Sequence, residues 1–366
     1  MALTGLDRRA CSHCAAAGPA RLGEESAIGT PNGNGVVAVA GEALVDLVPA
    51  PVRGYYEFRP GGSPANVAVG LSRLGVSTRM LARIADDPLG RRLRAHLESN
   101  RVQLDHLVLA TEPTSMAMVM VGPDGGPTYD FRVRDTADWQ WTNAELADAL
   151  DPGPAGPVVA VHSGSLALTT APGHTALRAL MARARQTATV SYDPNIRPAL
   201  MGSPAEVLAG VHELLPSCDV VKVSIEDLGW LMPGFTPDEV MEDWLGRGPS
   251  IVAITLGGDG VVAATATGQH TRRPGVPVTV IDTVGAGDTF SGALLAGLYR
   301  RRLLGASARD SLHKIGRATL EALLDDALLA AAITCSRRGA DPPTTEDVDA
   351  RRSWAGINAL KAADGG

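Results

Sequence analysis

The chain has 366 residues, a length that allows one large α/β unit or two domains of average size. Its residues are 45% hydrophobic and 20% charged with a formal net charge of -7, so there is no basic field to favour nucleic-acid binding. No apolar run reaches the roughly 18 to 20 residues of a membrane span and the N-terminus lacks the apolar core of a signal peptide, so we expect a cytoplasmic protein that binds neither membrane nor nucleic acid.

Residues 1–35 are predicted to form a disordered leader. They are rich in Ala, Gly, Ser and Asn, have no steady apolar period and end in the turn-forming stretch "GTPNGNG". Cys11 and Cys14 have the spacing of metal ligands, but no second Cys or His pair nearby completes a set of four, so we interpret them as part of the leader. The cysteines of the whole chain are too sparse for a disulfide framework, which favours a reducing compartment.

From Val36 onward, short apolar runs alternate with helical patterns. The runs predicted to be buried strands are "VVAVAG", "PVVAVHSG", "ATVSYD", "DVVKVS" and "IVAIT". Helical periodicity covers 65–74, 88–99, 174–186, 203–214 and 286–300. Strands that alternate with helices predict an α/β fold with a mostly parallel central sheet and helices on both faces.

One region interrupts this alternation. "TSMAMVMV", a "GPDGG" turn and "PTYDFRVR" predict an antiparallel hairpin, and "VDLVPAPVRGYYEFRP" is predicted to add further strands to it. We therefore expect a small β-sheet lid built from about 45–60 and 115–134.

The stretch "GGSPANVAVGLSRLG" predicts a well-delimited helix, with Ser63 as its N-cap, proline at the first helical position and Gly75 just after its end. Asn66 lies among small and apolar residues near its start. Its amide is predicted to hydrogen-bond a ligand hydroxyl reached across Gly61 and Gly62. The alternative is an asparagine that only satisfies the first turn of the helix.

The stretch "DTVGAGDTF" follows the β-branched run "PVTVI" and leads into leucines at helical spacing, which predicts a junction from strand to helix. The first N–H groups of a helix lack partners and the helix dipole is positive there, so such an end can hold a phosphate. Gly285, Ala286 and Gly287 would let that phosphate approach the backbone.

Asp288 is unexpected beside a phosphate site, because its carboxylate repels an anion. We predict that it accepts the proton of an attacking hydroxyl, as the base of a kinase does, while the neighbouring N–H groups stabilise the transferred phosphoryl oxygens. The alternative left open by this motif is that Asp288 caps the helix and the glycines only form a tight turn.

Two other nucleotide motifs are excluded. A Walker A loop needs a lysine after glycine, and no lysine of this chain follows a glycine. A dinucleotide fingerprint beginning at Gly285 would need glycine where Phe290 stands, which argues against a reductase.

Together the two glycine-rich motifs resemble the signatures of the ribokinase-like, or PfkB, family of sugar kinases, in the order and at about the separation found there. The likeness runs from about Val36 to about residue 345. It implies a ribokinase-like three-layer α/β/α fold with a small β lid, and ATP-dependent transfer to a primary hydroxyl of a sugar, with Mg²⁺ accompanying the nucleotide. We expect the kinase domain to span 36–358, followed by a tail at 359–366.

The resemblance also implies roles for single residues. Asp46 in "GEALVDLV" resembles the family's acceptor for sugar hydroxyls, although a solvent-facing strand residue is the alternative. Thr255, Gly257 and Gly260 in "ITLGGDGVV" resemble the loop that binds the nucleotide phosphates, although a plain hairpin turn would have a similar sequence. Lys222 in "VKVSIEDL" is assigned to the nucleotide as well.

Further nucleotide and metal positions follow from the same resemblance. Gly339 and Ala340 in "CSRRGADPP" resemble the adenine-side segment, and Ser224 is placed with the nucleotide contacts. Where the family often has Asn-x-x-Glu near Mg²⁺, this chain has Ser224 and Asp227, so either Asp227 or the adjacent Glu226 is the outer-shell magnesium residue.

A possible monovalent cation site, for K⁺, is assigned to Asp282 and Val284 in the second motif. The family resemblance further implies a homodimer joined through the lids.

Within the family, "GEALVDL", "SYDPNIRP" and "VKVSIEDL" look most like the fructokinase and 2-keto-3-deoxygluconate kinase branch. Arg197 follows a strand end, where α/β sheets bind ligands, and is predicted to stabilise phosphoryl charge; the alternative is a surface arginine. On the lid, Phe131 and Arg134 are assigned to the substrate, although the sequence does not tell which face of this arm meets it.

The preferred substrate is fructose, converted to fructose 6-phosphate, with 2-keto-3-deoxygluconate or ribose as alternatives. A lid arginine that meets a substrate carboxylate would favour the keto acid. A sugar or nucleotide sensor with the same fold, which binds without catalysis, is the alternative from another class.

Overall fold

The computed structural model describes residues 35–353 except 51, 53 and 122–126, and at 121 and 127–129 it describes the backbone only. The predicted leader with Cys11 and Cys14, and the predicted tail, lie outside the described residues. The strands are β1 (Val36–Ala40), β2 (Leu44–Pro49), β3 (Tyr56–Gly61), β4 (Thr78–Leu81), β5 (Arg83–Ala85), β6 (Val108–Ala110), β7 (Met116–Val121), β8 (Pro127–Arg132), β9 (Val158–Gly164), β10 (Thr189–Asp193), β11 (Val220–Ser224), β12 (Ile251–Thr255), β13 (Val261–Thr265) and β14 (His270–Arg273).

The α-helices are α1 (Ser63–Arg73), α2 (Pro88–Ser99), α3 (His174–Ala184), α4 (Pro204–Leu214), α5 (Ile225–Leu231), α6 (Pro237–Leu245), α7 (Ala286–Arg300), α8 (Arg309–His313) and α9 (Arg317–Cys335). Short 3₁₀ helices lie at Ala137–Trp139, Ser165–Leu168, Leu215–Ser217, Gly257–Asp259 and Ala306–Ala308. Among the described helices, none combines the length and the apolar character that crossing a membrane requires.

The largest sheet has eight strands in the order β14-β13-β12-β11-β10-β9-β1-β4. The strands from β4 to β12 pair in parallel, and β13 and β14 add an antiparallel edge. The predicted α/β class with a mostly parallel central sheet is therefore confirmed.

Helices cover both faces of this sheet. In β1, Val37 and Val39 join a core that includes residues of α1, α2, α7 and α9, whereas Ala38 and Ala40 join a second core with residues of α3, α4, α5 and α6. A strand buried on both faces needs apolar side chains at every position, which explains the uninterrupted apolar runs of the sequence. The three-layer α/β/α arrangement is confirmed.

A second sheet has the order β3-β2-β7-β8. Strands β7 and β8 form the predicted antiparallel hairpin, and β2 and β3 come from the stretch predicted to extend it. Asp46 of β2 lies between Arg59 of β3 and Ala117 of β7 in the register. A short third sheet pairs β5 with β6.

Two local predictions are wrong. The run "PVTVI" is not a strand: Val280 and Ile281 are each 59% exposed, and the Ile281 N–H donates to the Cys335 carbonyl at the end of α9 instead of to a neighbouring strand. The catalytic-motif helix α7 therefore follows a loop. Ser63 is not an N-cap, because α1 already begins at Ser63 after Gly62, whose φ of 99° suits glycine.

Candidate active site

The candidate site lies at the carboxyl ends of the parallel strands. From β1 the chain crosses to β4 on one side, and β9 and β10 then fill the other side, so the strand order reverses between β1 and β9. Open α/β sheets bind ligands at such a reversal. A cavity of about 620 Å³ opens there. Its lining includes most predicted residues, namely Asp46, Gly62, Asn66, Phe131, Arg197, Lys222, Ser224, Glu226, Asp227, Thr255, Gly257, Gly260, Val284, Gly285, Ala286, Gly287 and Asp288.

A second cavity of about 810 Å³ adjoins the first. It shares Asp46, Phe131, Arg197 and Val284 with the first cavity. It also brings together the predicted cation residue Asp282 and the predicted adenine-side residues Gly339 and Ala340.

Gly61 and Arg134 line neither of these cavities. A Cβ at Gly61 would lie 2.3 Å from Asp46 Oδ2, so this glycine makes room for the Asp46 carboxylate. Arg134 is exposed outside both cavities, so its assignment to the substrate stays a prediction. Arg132, on the same arm, pairs with Asp130. The sequence did not tell which face of this arm meets the substrate, and in the structure Phe131 of β8 lines the cavity.

Asp288 is 8% exposed and lies in the first turn of α7. The Ser63 hydroxyl donates to its Oδ1 at 2.6 Å and the Asn66 amide donates to its Oδ2 at 2.8 Å, so two residues of α1 hold the carboxylate. No side chain caps α7, so Asp288 is not a helix cap. The Asn66 amide likewise reaches across to α7 instead of satisfying its own helix turn.

Burial raises the pKa of Asp288, and the Asp193 carboxylate adds to this, while the hydrogen bonds from Ser63 and Asn66 and the charge of Lys222 act in the opposite direction. A carboxylate with a raised pKa is a stronger proton acceptor than a carboxylate in water. It is therefore suited to act as a general base once it is ionised.

The N-terminus of α7 is closely approached by two other segments. Gly285 has a φ of 76°, and a Cβ there would lie 2.6 Å from the Ala340 Cβ. A Cβ at Gly287 would lie 2.8 Å from Lys222 Nζ. The two glycines thus keep the helix mouth open while a lysine and the Ala340 segment come close, an arrangement that can hold an anionic group.

Lys222 forms a buried ion pair that the sequence analysis missed. Its Nζ lies 3.0 Å from Asp193 Oδ2, and the two side chains are 7% and 1% exposed. Burial alone would lower the pKa of Lys222, but Asp193 outweighs this effect and the pKa is raised, so the lysine remains a cation. The signal available in the sequence was an aspartate at the end of a buried strand, in "SYDPNIRP".

The junction of β11 and α5 positions the acids predicted for magnesium. The Ser224 hydroxyl accepts from the Asp227 N–H at 3.0 Å and caps α5, and Asp227 Oδ1 accepts from the Ile196 N–H at 3.1 Å. Burial raises the pKa of Asp227, with the Asp193 carboxylate adding to the effect. Glu226 is exposed on the same cavity.

Within the described residues, no group of three or more His, Cys, Asp or Glu side chains could hold a metal ion.

Asp282 joins the two loops near the mouth of α7. Its Oδ1 accepts from the Val284 N–H at 3.1 Å and its Oδ2 accepts from the Gly339 N–H at 2.8 Å. The side chain therefore already has two backbone partners, and it joins the segment at Gly339 to the glycine-rich turn.

Asp46 and Arg197 form the polar wall that both cavities share. Burial raises the pKa of Asp46 to about 6, an effect that Arg197 opposes and Asp288 reinforces. Arg197 is exposed and its Nη1 donates to Asn195 Oδ1 at 2.7 Å. The sequence also gave no reason to single out Glu42, an acid two residues after β1 that is 1% exposed and lines the first cavity.

The chain was compared with known protein families and proteins. The family described as pfkB family carbohydrate kinase matches residues 36–347. A fructokinase from Rhizobium leguminosarum bv. trifolii is 34% identical over 272 residues, which cover 74% of this chain and 81% of that protein.

Solved structures of fructokinases are also similar to this chain. A double-mutant fructokinase from Vibrio cholerae O395, bound to fructose, ADP and potassium ion, has a TM-score of 0.71 and 28% identity, covering 84% of this chain and 94% of that chain. The fructokinase from Xylella fastidiosa with bound ATP has a TM-score of 0.78 and 25% identity, covering 88% and 100%.

Proposed function

The chain belongs to the pfkB family of carbohydrate kinases, and we propose that it transfers the γ-phosphoryl group of ATP to the primary hydroxyl of fructose, giving fructose 6-phosphate. Family membership makes it a phosphotransferase with an alcohol acceptor. The observation that supports the proposal most directly is the Asp288 carboxylate, which is held by α1 and lines the cavity beside the mouth of α7.

In this proposal Asp288 removes the proton from the attacking hydroxyl. The hydroxyl oxygen forms the new bond to phosphorus as the bond to the ADP oxygen breaks, and the proton passes to the carboxylate. Ser63 and Asn66 donate to the two carboxylate oxygens and so orient them, since neither donor can take up that proton.

Negative charge on the phosphoryl oxygens is stabilised by the mouth of α7. The N–H groups of its first turn have no intrahelical partners, and Lys222 adds a fixed positive charge near Gly287. Arg197 is the second cation that lines the cavity, and we assign it to stabilise the same negative charge on the phosphoryl oxygens.

The acids of the cavity favour a neutral sugar. Glu42, Asp46 and Asp288 line it, and neither arginine of the β8 arm does. A substrate carboxylate would be repelled by the ionised carboxylates of Asp46 and Asp288, whereas sugar hydroxyls can donate to them. This favours fructose over 2-keto-3-deoxygluconate.

A substrate panel tests the proposed activity. ADP release would be measured with fructose, ribose, 2-keto-3-deoxygluconate and nucleosides at equal ATP. We expect the largest kcat/KM for fructose. Turnover with none of the sugars, together with tight sugar binding in calorimetry, would identify a sensor instead of an enzyme.

Replacing Ser63 with alanine should shift the acidic limb of the kcat/KM profile to higher pH. Loss of this hydroxyl removes a hydrogen bond that lowers the pKa of Asp288, so the base is protonated at a pH where the wild type is ionised. The matched control is Ser72→Ala on the same helix, whose hydroxyl donates to the Asn100 carbonyl. An unchanged acidic limb in Ser63→Ala would show that the Ser63 hydroxyl does not lower the pKa of the group that limits activity at low pH.

We propose Mg²⁺ as the ion that accompanies ATP, with Asp227 or Glu226 contacting its water shell and the ion neutralising phosphate charge. K⁺ is proposed near Asp282 and Val284, where a carboxylate and an exposed loop meet. Activity should disappear with a chelator and return with Mg²⁺. Replacement of K⁺ by a bulky organic cation should lower activity, and no change would refute the K⁺ site.

A homodimer formed through the second sheet is also proposed. Tyr56 at the start of the edge strand β3, and Val52 and Tyr55 in the connection that precedes it, are 46%, 62% and 68% exposed, an apolar surface suited to a second copy. Light scattering at twice the mass of the chain would support it and a monomer would refute it.

The ATP requirement and the free thiols of Cys218 and Cys335 support a cytoplasmic location.

A further inference from the structure

Glu42 occupies a position that the phosphoryl transfer leaves without a role. It lies two residues after the end of β1, at the point where the strand order reverses, and it lines the cavity although only 1% of it is exposed. Its Oε2 is shielded from solvent and has no hydrogen-bond partner within the described residues. Native proteins seldom leave a buried carboxylate oxygen without a donor, so this atom requires an explanation.

The groups that face Glu42 come from three segments. Asp138 lies in the 3₁₀ helix Ala137–Trp139, where it accepts from the Ala43 N–H at 2.8 Å and from the Ser115 hydroxyl. The Ser165 hydroxyl comes from the turn after β9 and hydrogen-bonds the Glu42 side chain, and the Arg197 guanidinium acts from the segment after β10. Of these neighbours, one is an acid, one is neutral and one is an exposed cation.

This environment favours the protonated acid. Burial raises the pKa of Glu42 to about 7 and the neighbouring Asp138 carboxylate adds to the rise, while Ser165 and Arg197 act in the opposite direction. A proton also removes the cost of a buried, unpartnered carboxylate oxygen. Asp138 is itself buried, and burial raises its pKa to about 6, so both acids of this pair bind a proton more readily than they would in water.

A neutral carboxyl group supplies a donor that the other acids of the cavity cannot supply. Ionised Asp46 and Asp288 only accept hydrogen bonds, and therefore they satisfy sugar hydroxyl protons. The oxygen atoms of a sugar also have lone pairs, and these accept a hydrogen bond from a donor such as a protonated carboxyl group. Ser165, beside Glu42 on the cavity wall, has a φ of 54°, a strained conformation for a serine.

We propose that Glu42 acts as a neutral carboxylic acid that donates a hydrogen bond to the bound sugar and so determines affinity for an uncharged polyol. This inference rests on the proposed sugar kinase activity and adds a specificity residue to it. The ionised form of Glu42 lacks the donor, so sugar binding weakens as the pH rises. Ionisation of Asp46 has the opposite effect on sugar binding, because it provides a hydrogen-bond acceptor.

The test is the KM for fructose from about pH 6 to about pH 9, with the KM for ATP measured in parallel. For the wild type we expect the KM for fructose to rise about five- to tenfold on the alkaline side, the value of one hydrogen bond, while the KM for ATP stays constant. In Glu42→Gln the amide donates at every pH, so the alkaline rise should vanish. Glu213→Gln, with a 72% exposed side chain, is the matched control and should keep the wild-type profile.

A binding measurement gives a second readout that does not depend on turnover. Calorimetry at about pH 7.5 in buffers of different ionisation enthalpy should show that fructose binding takes up about 0.4 to 0.5 proton in the wild type, the uptake that a five- to tenfold change in affinity implies, and none in Glu42→Gln. In Asp138→Asn the charge beside Glu42 is lost, so the alkaline rise should move to lower pH. This second variant decides the matter if Glu42→Gln does not fold.

The outcomes separate the two proposals. Fructose turnover without proton uptake, or an alkaline rise that persists in Glu42→Gln, would overturn the role of Glu42 and leave the kinase intact. No turnover and no binding with any sugar of the panel would overturn the kinase proposal and the role of Glu42 with it.

Discussion

Asp288→Asn should lower kcat by about 10²- to 10⁴-fold, the range that general base catalysis contributes. An amide has nearly the shape of the carboxylate but cannot accept the proton of the attacking hydroxyl. Dissociation constants for fructose and ATP should change little, because Ser63 can still donate to the side-chain oxygen at position 288 and the mouth of α7 is unaltered. Steady-state kinetics together with calorimetry would measure both quantities.

The control is Asp310→Asn, the same exchange at a side chain that is 93% exposed, which should leave kcat unchanged. If Asp288→Asn binds both substrates and turns over at the wild-type rate, another group must take the proton. A variant that neither binds nor melts cooperatively would point to a structural role for the carboxylate.

Lys222→Met should lower the free energy of unfolding by about 3 to 5 kcal/mol, the cost of breaking a buried ion pair from one side. The variant leaves Asp193, which is 1% exposed, with the Asn195 N–H at 3.2 Å and the Ser291 hydroxyl at 3.4 Å as its remaining donors. This loss is a large part of the about 5 to 15 kcal/mol that stabilises a typical protein. Urea unfolding near neutral pH would measure it.

Lys314→Met provides the comparison, because Lys314 forms an exposed pair with Asp310 at 3.8 Å and its loss should cost less than about 1 kcal/mol. The double variant Lys222→Met, Asp193→Asn removes both buried charges and should be more stable than Lys222→Met alone. Equal stability of the wild type and Lys222→Met would mean that water already solvates the Asp193 carboxylate.

The sequence predicted the central layers well, because the relevant signals are local. Helix α2 has the predicted bounds, since Asp87 accepts from the first N–H groups of the helix and Pro88 follows it. Helix α7 also has the predicted bounds and begins directly after Gly285. The run "PVTVI" was misassigned because strand propensity requires a partner strand, and the chain there packs against the end of α9 instead.

The residues alone predicted the site only within its two motifs, and positions such as Asp46, Lys222 and Thr255 were assigned through the family resemblance. Glycine spacing and a lone acid indicate a phosphate site and a base within a short stretch of chain. The residues that were missed, Ser63 as a donor, Asp193 and Glu42, act through partners distant in the sequence. Such pairings depend on strand order and helix docking, which are not encoded by the identity of any one residue.

The hydrogen bond between Ser63 and Asp288 joins residues that are 225 positions apart. During synthesis on the ribosome, α1 emerges long before α7. An unfinished polypeptide that ends before α7 therefore holds Ser63 and Asn66 without the carboxylate that they contact. Under the proposed role of Asp288, a nascent chain can begin phosphoryl transfer only after α7 has been made and has docked onto α1.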